Sequence, residues 1–320
     1  MTEFELIERF FTRPRAGAIV GNGDDCAVVA PASGNAFAVT TDTLIEGRHF
    51  LPTIDPFKLG RRAVNVNLSD LAAMGATPRY AMLSLTLPQI DEHWVSRFSN
   101  GLWSALDEYD IELIGGNTTR GSLAIAMTAF GELPPALALT RTGARPDDEL
   151  WVSGPLGDAG WALYCMIGDI HAEATASQIA KYENPQARVA LGLALRGVVT
   201  SCIDISDGLL SEAAHLAKAS GVAIEIDFAA IPTGLGDALE SVEHAAKARH
   251  CLLATGDAYE LLFTAPREMH ARVQQMMSSH ALAGACIGRV LAQHEGDAVR
   301  VLDAQSRVMD IKTSGWDHFA

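Results

Sequence analysis

Residues 21–49 are G-N-G-D-D-C-A-V-V-A-P-A-S-G-N-A-F-A-V-T-T-D-T-L-I-E-G-R-H, and this pattern predicts a β-hairpin. Two apolar runs, residues 26–30 and 36–40, flank a segment of typical turn residues. If the turn is centred on its Ser-Gly pair, Asp25 faces Asp42. Like charges placed opposite each other destabilise a sheet unless water, a proton or a metal ion relieves the repulsion. Either a divalent metal binds here, or the register is shifted and the acids are solvated turn residues.

The composition of the 320-residue chain indicates a globular protein with room for two domains. Hydrophobic residues make up 48% and charged residues 20%, which argues against a disordered chain. No apolar run approaches the roughly 18 residues that span a bilayer, and the acidic N-terminus is not typical of a secretory signal. The five scattered cysteines contain no C-x-x-C pair. We therefore expect a cytoplasmic protein with no membrane partner.

The charge pattern limits how this chain can bind anions. Its net charge of −15 argues against nucleic acid as a partner, because such binding depends on Lys and Arg. The sequence contains five lysines and no G-x-x-x-x-G-K-[ST] P-loop. It also lacks the dinucleotide-binding G-x-G-x-x-G, the G-x-S-x-G elbow and the protein-kinase motifs. A chain of this kind would bind phosphates through metal ions, arginines and backbone amides.

Aspartates at predicted strand ends and helix starts form the main chemical pattern. They are Asp24, Asp25, Asp42, Asp70, Asp204 and Asp207. Asp55-Pro56 predicts the start of a helix that carries Asn67 and Asp70 on one face. These two side chains either face the hairpin acids or form a polar outer face, and His49 is either a site residue or a surface histidine. Oxygen ligands of this kind suit Mg²⁺, whereas zinc would need His and Cys spacings that are missing.

Strands and helices alternate along the chain, which predicts an α/β or α+β fold with two layered domains. A stretch rich in Pro, Gly and charge at residues 134–148 marks the domain boundary. In the second domain, Ser206 is predicted as a helix N-cap, with Asp207 in the first turn. Residues 237–250 are predicted as one helix and residues 258–265 as a strand.

Seven motifs resemble those of the thiamine-monophosphate kinase family, within the aminoimidazole ribonucleotide synthetase-like group of ATP-dependent enzymes. They are GNGDDCA at 21–27, TTDTLIEGRHF at 40–50, NLSDLAAMGA at 67–76, GGNTTR at 115–120, LTRTGARPDD at 139–148, DISDGL at 204–209 and GWDHF at 315–319. The resemblance covers nearly the whole chain. It implies mixed sheets with flanking helices in two domains. Residues 1–138 would form the ATP- and Mg-binding, dimerising domain, and residues 139–320 would contribute phosphate, metal and substrate contacts.

The resemblance also implies roles for individual residues. The implied magnesium ligands are Asp25, Thr40, Thr41, Asp42, Asp70, Asn117, Asp204 and Asp207, of which Asp42, Asp70 and Asp207 are the implied catalytic residues. The implied nucleotide contacts are Gly116, Asn117, Arg141 and Ser206, and the implied thiamine phosphate contacts are His49, Asp257 and Trp316. Two positions depart from the family pattern. Asn117 stands where many members have Asp, and Ala258 stands where many have an acid, which leaves Asp257 as the nearest carboxylate.

The activity that the resemblance implies is direct in-line transfer of the γ-phosphoryl group of ATP to thiamine monophosphate by a Mg²⁺-dependent homodimer. The products would be thiamine diphosphate and ADP. The attacking phosphate oxygen is already anionic near pH 7, so the reaction needs no general base. Two alternatives stay open. One is another ATP-dependent member of the group that releases inorganic phosphate, and the other is a catalytically silent nucleotide-binding protein.

Overall fold

The computed structural model describes residues 2–13, 17–19, 26–27, 29–293 and 298–311. The chain divides into two compact units. Unit 1 comprises Met1–Leu71 and Ala76–Ala136, and unit 2 comprises Ala72–Gly75 and Leu137–Ala320. Among the described residues, no helix is both long enough and apolar enough to cross a membrane.

The first part of the chain forms a four-stranded sheet with helices. Its elements are α1 (Glu3–Phe11), β1 (Ala36–Ile45), α2 (Pro56–Ala73), β2 (Thr77–Leu87), α3 (Glu92–Glu108), β3 (Glu112–Arg120) and β4 (Ala124–Leu133). The strand order is β1-β4-β2-β3. The β2–β3 pair is parallel and the other two pairs are antiparallel, so the sheet is mixed.

Helix α2 begins and ends where the sequence predicts. Asp55 Oδ1 accepts a hydrogen bond from Phe57 N at 2.8 Å, and Pro56 is the first helical residue. After the helix, Gly75 has a φ of +62° and its N–H donates to Ala72 O. This left-handed residue ends the helix, as glycine does at many helix C-termini.

The hairpin predicted around the Ser-Gly pair is wrong for the described residues. The turn itself forms, because Asn35 N donates to Ala32 O at 3.0 Å and Gly34 has a φ of +83°. Of the first predicted strand, residues 26, 27, 29 and 30 are described, and none is in a strand. The turn residues therefore specified a turn without specifying the partner of the strand that follows.

The partner of β1 is β4, along all ten residues of both strands. Asp42 lies opposite Met127 in this pairing. Asp24 and Asp25 lie outside the described residues, so the predicted pairing of Asp25 with Asp42 has no geometry in this structure. An antiparallel ladder of ten residues gives β1 more backbone hydrogen bonds than a five-residue hairpin arm would.

The remainder of the chain forms a six-stranded sheet with seven helices among the residues described. Its elements are β5 (Glu149–Val152), α4 (Asp158–Met166), α5 (Ala176–Glu183), α6 (Val189–Leu195), β6 (Ser201–Asp204), α7 (Leu209–Ser220), β7 (Val222–Asp227), α8 (Gly236–Glu240), α9 (Ala245–Ala254), β8 (Leu261–Ala265), α10 (His270–Ser279), β9 (Ala285–Ala292) and β10 (Val299–Leu302). The strand order is β10-β7-β9-β5-β8-β6. The β10–β7 pair is parallel and the rest are antiparallel. Two layered units with mixed sheets and flanking helices confirm the predicted fold class.

Three local predictions in unit 2 are wrong. Helix α7 begins at Leu209 with Gly208 as its N-cap, so Ser206 is not the cap and Asp207 precedes the first turn. The single helix predicted at residues 237–250 is two helices, α8 and α9, separated by residues 241–244. The strand predicted from residue 258 begins at Leu261, because the chain just before it has left-handed backbone at Asp257 and Tyr259.

Candidate functional site

Strand β1 presents its polar residues on two different faces. Thr40 and Asp42 are half-buried, whereas Val39, Thr41 and Thr43 are exposed. This alternation follows from the two-residue repeat of a strand, which sends successive side chains to opposite faces. The even-numbered face is the one that carries the first candidate site.

The polar residues of α2 contact this even-numbered face of β1. Thr40 Oγ1 donates to Asp70 Oδ2 at 2.5 Å, and Asp42 N donates to Asn67 Oδ1 at 3.1 Å. The Asn67 amide is fixed in turn, because its Nδ2 donates to Ala63 O at 3.0 Å. Asn67 and Asp70 therefore face the strand of Asp42, and they do not form a polar outer face.

Thr41 is not brought into this cluster by its side chain. Its Oγ1 donates to Met127 O at 3.0 Å and accepts from Thr128 Oγ1 at 3.2 Å. Both contacts are to β4, and the side chain lies on the face of β1 opposite to Thr40 and Asp42. The side chains of Thr40, Thr41 and Asp42 therefore cannot all coordinate the same metal ion, because that of Thr41 lies on the other face of the strand.

Gly116 and Asn117 lie on β3, at the other side of the same sheet. Asn117 is level with Ser84 on β2, Ala126 on β4 and Thr43 on β1. Three strand spacings of about 4.8 Å separate it from β1, so about 14 Å lies between the two backbones. Within one chain, Asn117 and Asp42 cannot bind the same ion.

Gly116 itself is required by the backbone. It has a φ of +153°, and a Cβ atom at this position would lie 1.8 Å from Leu83 O on the neighbouring strand. A side chain cannot be placed there without moving the backbone of β2 or β3. The second glycine of the 115–120 motif therefore has a structural role in addition to the implied nucleotide contact.

His49 follows β1 in a turn of its own. Its Nδ1 accepts a hydrogen bond from Ile45 N at 3.0 Å, and its backbone N donates to Ile45 O at 2.9 Å. A neutral His49 with this contact carries its proton on Nε2. Two other predicted site residues, Asp25 and Trp316, lie outside the described part of the chain.

In unit 2, the candidate residues follow the end of strand β6. Asp204 is the last residue of β6 and is only 5% exposed, whereas Ser206 and Asp207 are half-buried in the turn before α7. Glu212 of α7 reaches back to this turn, since its Oε1 accepts from Asp207 N at 3.3 Å. The turn thus places three polar side chains at one edge of the sheet.

The Arg141 segment lies at the same sheet edge. Thr140 O accepts a hydrogen bond from Cys202 N at 2.8 Å, so this segment runs beside β6. The Arg141 side chain is exposed, and its carbonyl accepts from Ser220 Oγ at 3.0 Å. Burial, and to a lesser degree the charge of Asp204, raises the pKa of the Cys202 thiol, which makes this cysteine unreactive.

Asp257 lies directly against the Ser206 turn. Asp257 N donates to Ser206 O at 2.9 Å, and Tyr259 N donates to Ile205 O at 2.8 Å. Tyr259 Oη also donates to Asp257 Oδ1 at 3.3 Å. Ala258 packs against the core of unit 2, and the preceding residue, Asp257, adds a carboxylate beside this turn.

Sequence reasoning missed Glu260, the residue behind this turn. It is 1% exposed, and both oxygens of its carboxylate accept from Arg188. The only signal in the sequence was an acid inside the otherwise apolar stretch predicted as a strand at residues 258–265. His, Cys, Asp and Glu side chains do not cluster in threes anywhere in the described ranges in a way that could bind a metal ion.

Comparisons with known proteins place the chain in a family. The family model "AIR synthase related protein, N-terminal domain" matches residues 23–133, and "AIR synthase related protein, C-terminal domain" matches residues 145–300. Thiamine-monophosphate kinase from Escherichia coli (strain K12) is 40% identical over 99% of this chain and 98% of its own. The enzyme of the same name from Haemophilus influenzae is 36% identical over 100% and 98%.

Solved structures give the same result. The crystal structure of thiamine-monophosphate kinase from Stenotrophomonas maltophilia K279a has a TM-score of 0.83 and 39% identity, over 94% of this chain and 96% of that one. A structure described as "AaThiL complexed with AMPPCP and TMP" has a TM-score of 0.74 and 31% identity, over 99% and 96%. The chain belongs to the thiamine-monophosphate kinase family of AIR synthase related proteins.

Proposed function

We propose that this chain transfers the γ-phosphoryl group of ATP to thiamine monophosphate, forming thiamine diphosphate and ADP. The observation that carries the proposal is the Asp42–Asp70 pair, presented by β1 and α2 with Thr40 and Asn67 as hydrogen-bond partners. The pair occurs in a chain whose relatives are thiamine-monophosphate kinases, one of which has been solved with a nucleotide analogue and TMP.

The donor set of this pair fits Mg²⁺. The side-chain atoms of Thr40, Asp42 and Asp70 that can coordinate a metal ion are all oxygens. Mg²⁺ binds through one or two carboxylates together with water and substrate phosphates. Bound Mg²⁺ would supply positive charge to the phosphates, in a chain that contains five lysines.

The chemistry assigned to the protein is positioning and charge stabilisation. A thiamine monophosphate oxygen forms a bond to the γ-phosphorus, the bond from that phosphorus to its bridging oxygen breaks, and ADP leaves. Because the attacking oxygen is anionic near pH 7, no side chain needs to remove a proton.

The remaining predicted residues divide between the two units. We assign metal binding to Asp25, Thr40, Asp42 and Asp70, and nucleotide contacts to Gly116 and Asn117, in residues 1–138. We assign phosphate and metal contacts to Arg141, Asp204, Ser206 and Asp207, in residues 139–320. His49, Asp257 and Trp316 are assigned to thiamine monophosphate, with Trp316 stacking on its cationic ring system.

The decisive experiment is a product assay with purified protein, thiamine monophosphate, ATP and Mg²⁺. We expect equal amounts of thiamine diphosphate and ADP, and no turnover when EDTA exceeds the metal. Inorganic phosphate without thiamine diphosphate would instead indicate a member of the wider group with another acceptor. ATP binding by calorimetry without any product would indicate a catalytically silent protein.

We also infer a cytoplasmic homodimer that associates through the strands of unit 1. Val39 is 58% exposed and Ile45 is 44% exposed, on the face of β1 opposite to Asp42. Exposed apolar residues on a sheet face are suited to association with a second copy. Sedimentation analysis should give a dimer, and V39E together with I45E should convert it to a folded monomer. A wild-type monomer at micromolar concentration would refute this inference.

A further inference from the structure

The turn that carries Asp257 has an unusual backbone. Asp257 has a φ of +66° and Tyr259 a φ of +49°, so two of three consecutive residues are left-handed without being glycine. Asp tolerates this conformation, whereas a bulky residue such as Tyr rarely adopts it. Backbone of this kind persists only where the surrounding structure fixes it.

The next residue, Glu260, is fixed by four different groups of unit 2. Its carboxylate accepts from Arg188 Nε at 2.7 Å, from Arg188 Nη2, and from Ser153 Oγ at 2.5 Å. Lys181 Nζ lies 3.7 Å from Oε1. Its backbone oxygen accepts from Ile205 N at 2.8 Å. Ser153 Oγ in turn accepts from Leu261 N at 2.8 Å, which ties the side chain of Glu260 to the start of β8.

From these contacts we infer that Glu260, held by Arg188, Ser153 and Lys181, is a positioning residue that fixes the left-handed turn and so places Asp257 for substrate. The turn lies between two anchors, the Asp257 N to Ser206 O bond at one end and the Glu260 side chain at the other. This inference rests on the proposed function, because it assigns Asp257 to thiamine monophosphate.

A buried carboxylate of this kind also has a structural effect, which the experiment must separate. Removing one partner of a buried ion pair leaves the other charge unpaired and destabilises the fold. Glu225 offers a matched control within the same sheet. It is 7% exposed, and it accepts from Arg289 Nε and Arg300 Nε, each at 2.8 Å.

The control lies far from the turn. Glu225 is on β7, and strands β9 and β5 separate β7 from β8. Three strand spacings place it about 14 Å from β8. A variant at Glu225 should therefore remove a second buried carboxylate that is paired with arginine, without moving Asp257.

The test compares E260Q and E225Q in steady-state kinetics and thermal unfolding. We expect both variants to unfold at lower temperature than the wild type. E260Q should lower kcat/KM for thiamine monophosphate by about 10- to 100-fold, because small misplacements of a positioned group have effects of this size. E225Q should change kcat/KM by less than about twofold, because Glu225 lies about 14 Å from β8 and the turn before it.

A double variant keeps the inference testable if E260Q unfolds. R188M combined with E260Q leaves no unpaired Arg charge, so its melting temperature should recover while kcat/KM stays low. Recovery of both quantities would overturn the inference, as would equal kinetic losses in E260Q and E225Q. Failure of the wild-type protein to form thiamine diphosphate would refute the proposed function itself, independently of these variants.

Discussion

The two units hold their candidate carboxylates in physically different ways. In unit 1, Asp42 lies on a regular strand and Asp70 on a regular helix. Two hydrogen bonds join these elements, one from the Asp42 backbone N to Asn67 and one from the Thr40 hydroxyl to Asp70. In unit 2, Asp207 and Asp257 lie in turns, and backbone hydrogen bonds hold those turns together. Regular elements fix the direction of a side chain by their repeat, whereas turns fix it through contacts with distant residues. Substitutions should therefore act on charge alone in unit 1, and on backbone geometry as well in unit 2.

The largest effect is expected from removing charge in unit 1. D70N keeps an oxygen that can accept the Thr40 hydroxyl, so the fold should be retained, but it removes one negative charge from the proposed metal site. We expect kcat to fall by about 100-fold or more, because metal-assisted charge stabilisation is worth several kcal/mol. Steady-state assays across a Mg²⁺ titration, together with thermal unfolding, measure both quantities.

Asp107 provides the control for this substitution. It lies on α3 and forms an ion pair with Arg13 at 2.9 Å, with about half of each side chain exposed. Surface pairs of this kind contribute little to stability, so D107N should match the wild type in both assays. Full activity in D70N, or an equal fall in kcat in D70N and D107N, would show that activity does not depend on the charge of Asp70.

The same contrast explains how much of the candidate site could be predicted. The three-residue spacing of Asn67 and Asp70 predicted a shared helical face, and the structure confirms that this face contacts β1. The partner of β1 could not be predicted, because an alternating strand can pair with any other strand of suitable pattern. The partner is β4, whose paired residues lie 79 to 97 positions further along the chain, and a local turn signal carries no information about so distant a partner.

The turns of unit 2 were less predictable still. The A-Y-E-L pattern predicted a strand from residue 258, yet the chain is left-handed at Tyr259 and the strand begins at Leu261. Hydrogen bonds from residues 72 and 107 positions away hold Glu260 inside the unit. A charged residue with buried partners of this kind has no local signature in the sequence, because burial depends on the tertiary fold.

An intermediate effect is expected from the glycine at the start of α7. Gly208 has a φ of +110°, and a Cβ atom there would lie 2.7 Å from the backbone of Ala254. G208A should lower the free energy of unfolding by about 2–4 kcal/mol and reduce kcat, because the Asp207 turn must shift. Denaturant unfolding and steady-state assays on the same preparation test both effects.

Gly221 at the other end of α7 is the matched control. It is also left-handed, with a φ of +66°, but no atom other than those of its chain neighbours lies within 4 Å of the position its Cβ would take. G221A should cost about 1 kcal/mol of unfolding free energy and leave kcat unchanged. If the two alanine variants lose the same stability and the same activity, the Asp207 turn is not a tightly constrained part of the site.

The smallest effect is expected for Asp158, an acid of unit 2 that lies on a helix and not in a turn. Asp158 is the first residue of α4, where an acid ordinarily stabilises a helix. Burial raises the pKa of this carboxyl, against weaker opposing contributions from Lys181 and a hydrogen bond from Gln178. A carboxyl with a raised pKa in the folded state favours folding at low pH, and this contribution is lost as the pH rises through that pKa.

D158N should therefore raise the melting temperature at pH 7–8, by about 2 °C, because it removes a buried charge and keeps an oxygen for Gln178. The gain should disappear as the pH falls through the raised pKa of this carboxyl, because the folded protein then takes up a proton there. Asp237, exposed in the first turn of α8, should show the opposite sign, since D237N removes a favourable helix-dipole contact without relieving burial. If D158N and D237N lower the melting temperature equally at pH 8, then the position of the acid in the helix, and not its burial, decides its effect on stability in unit 2.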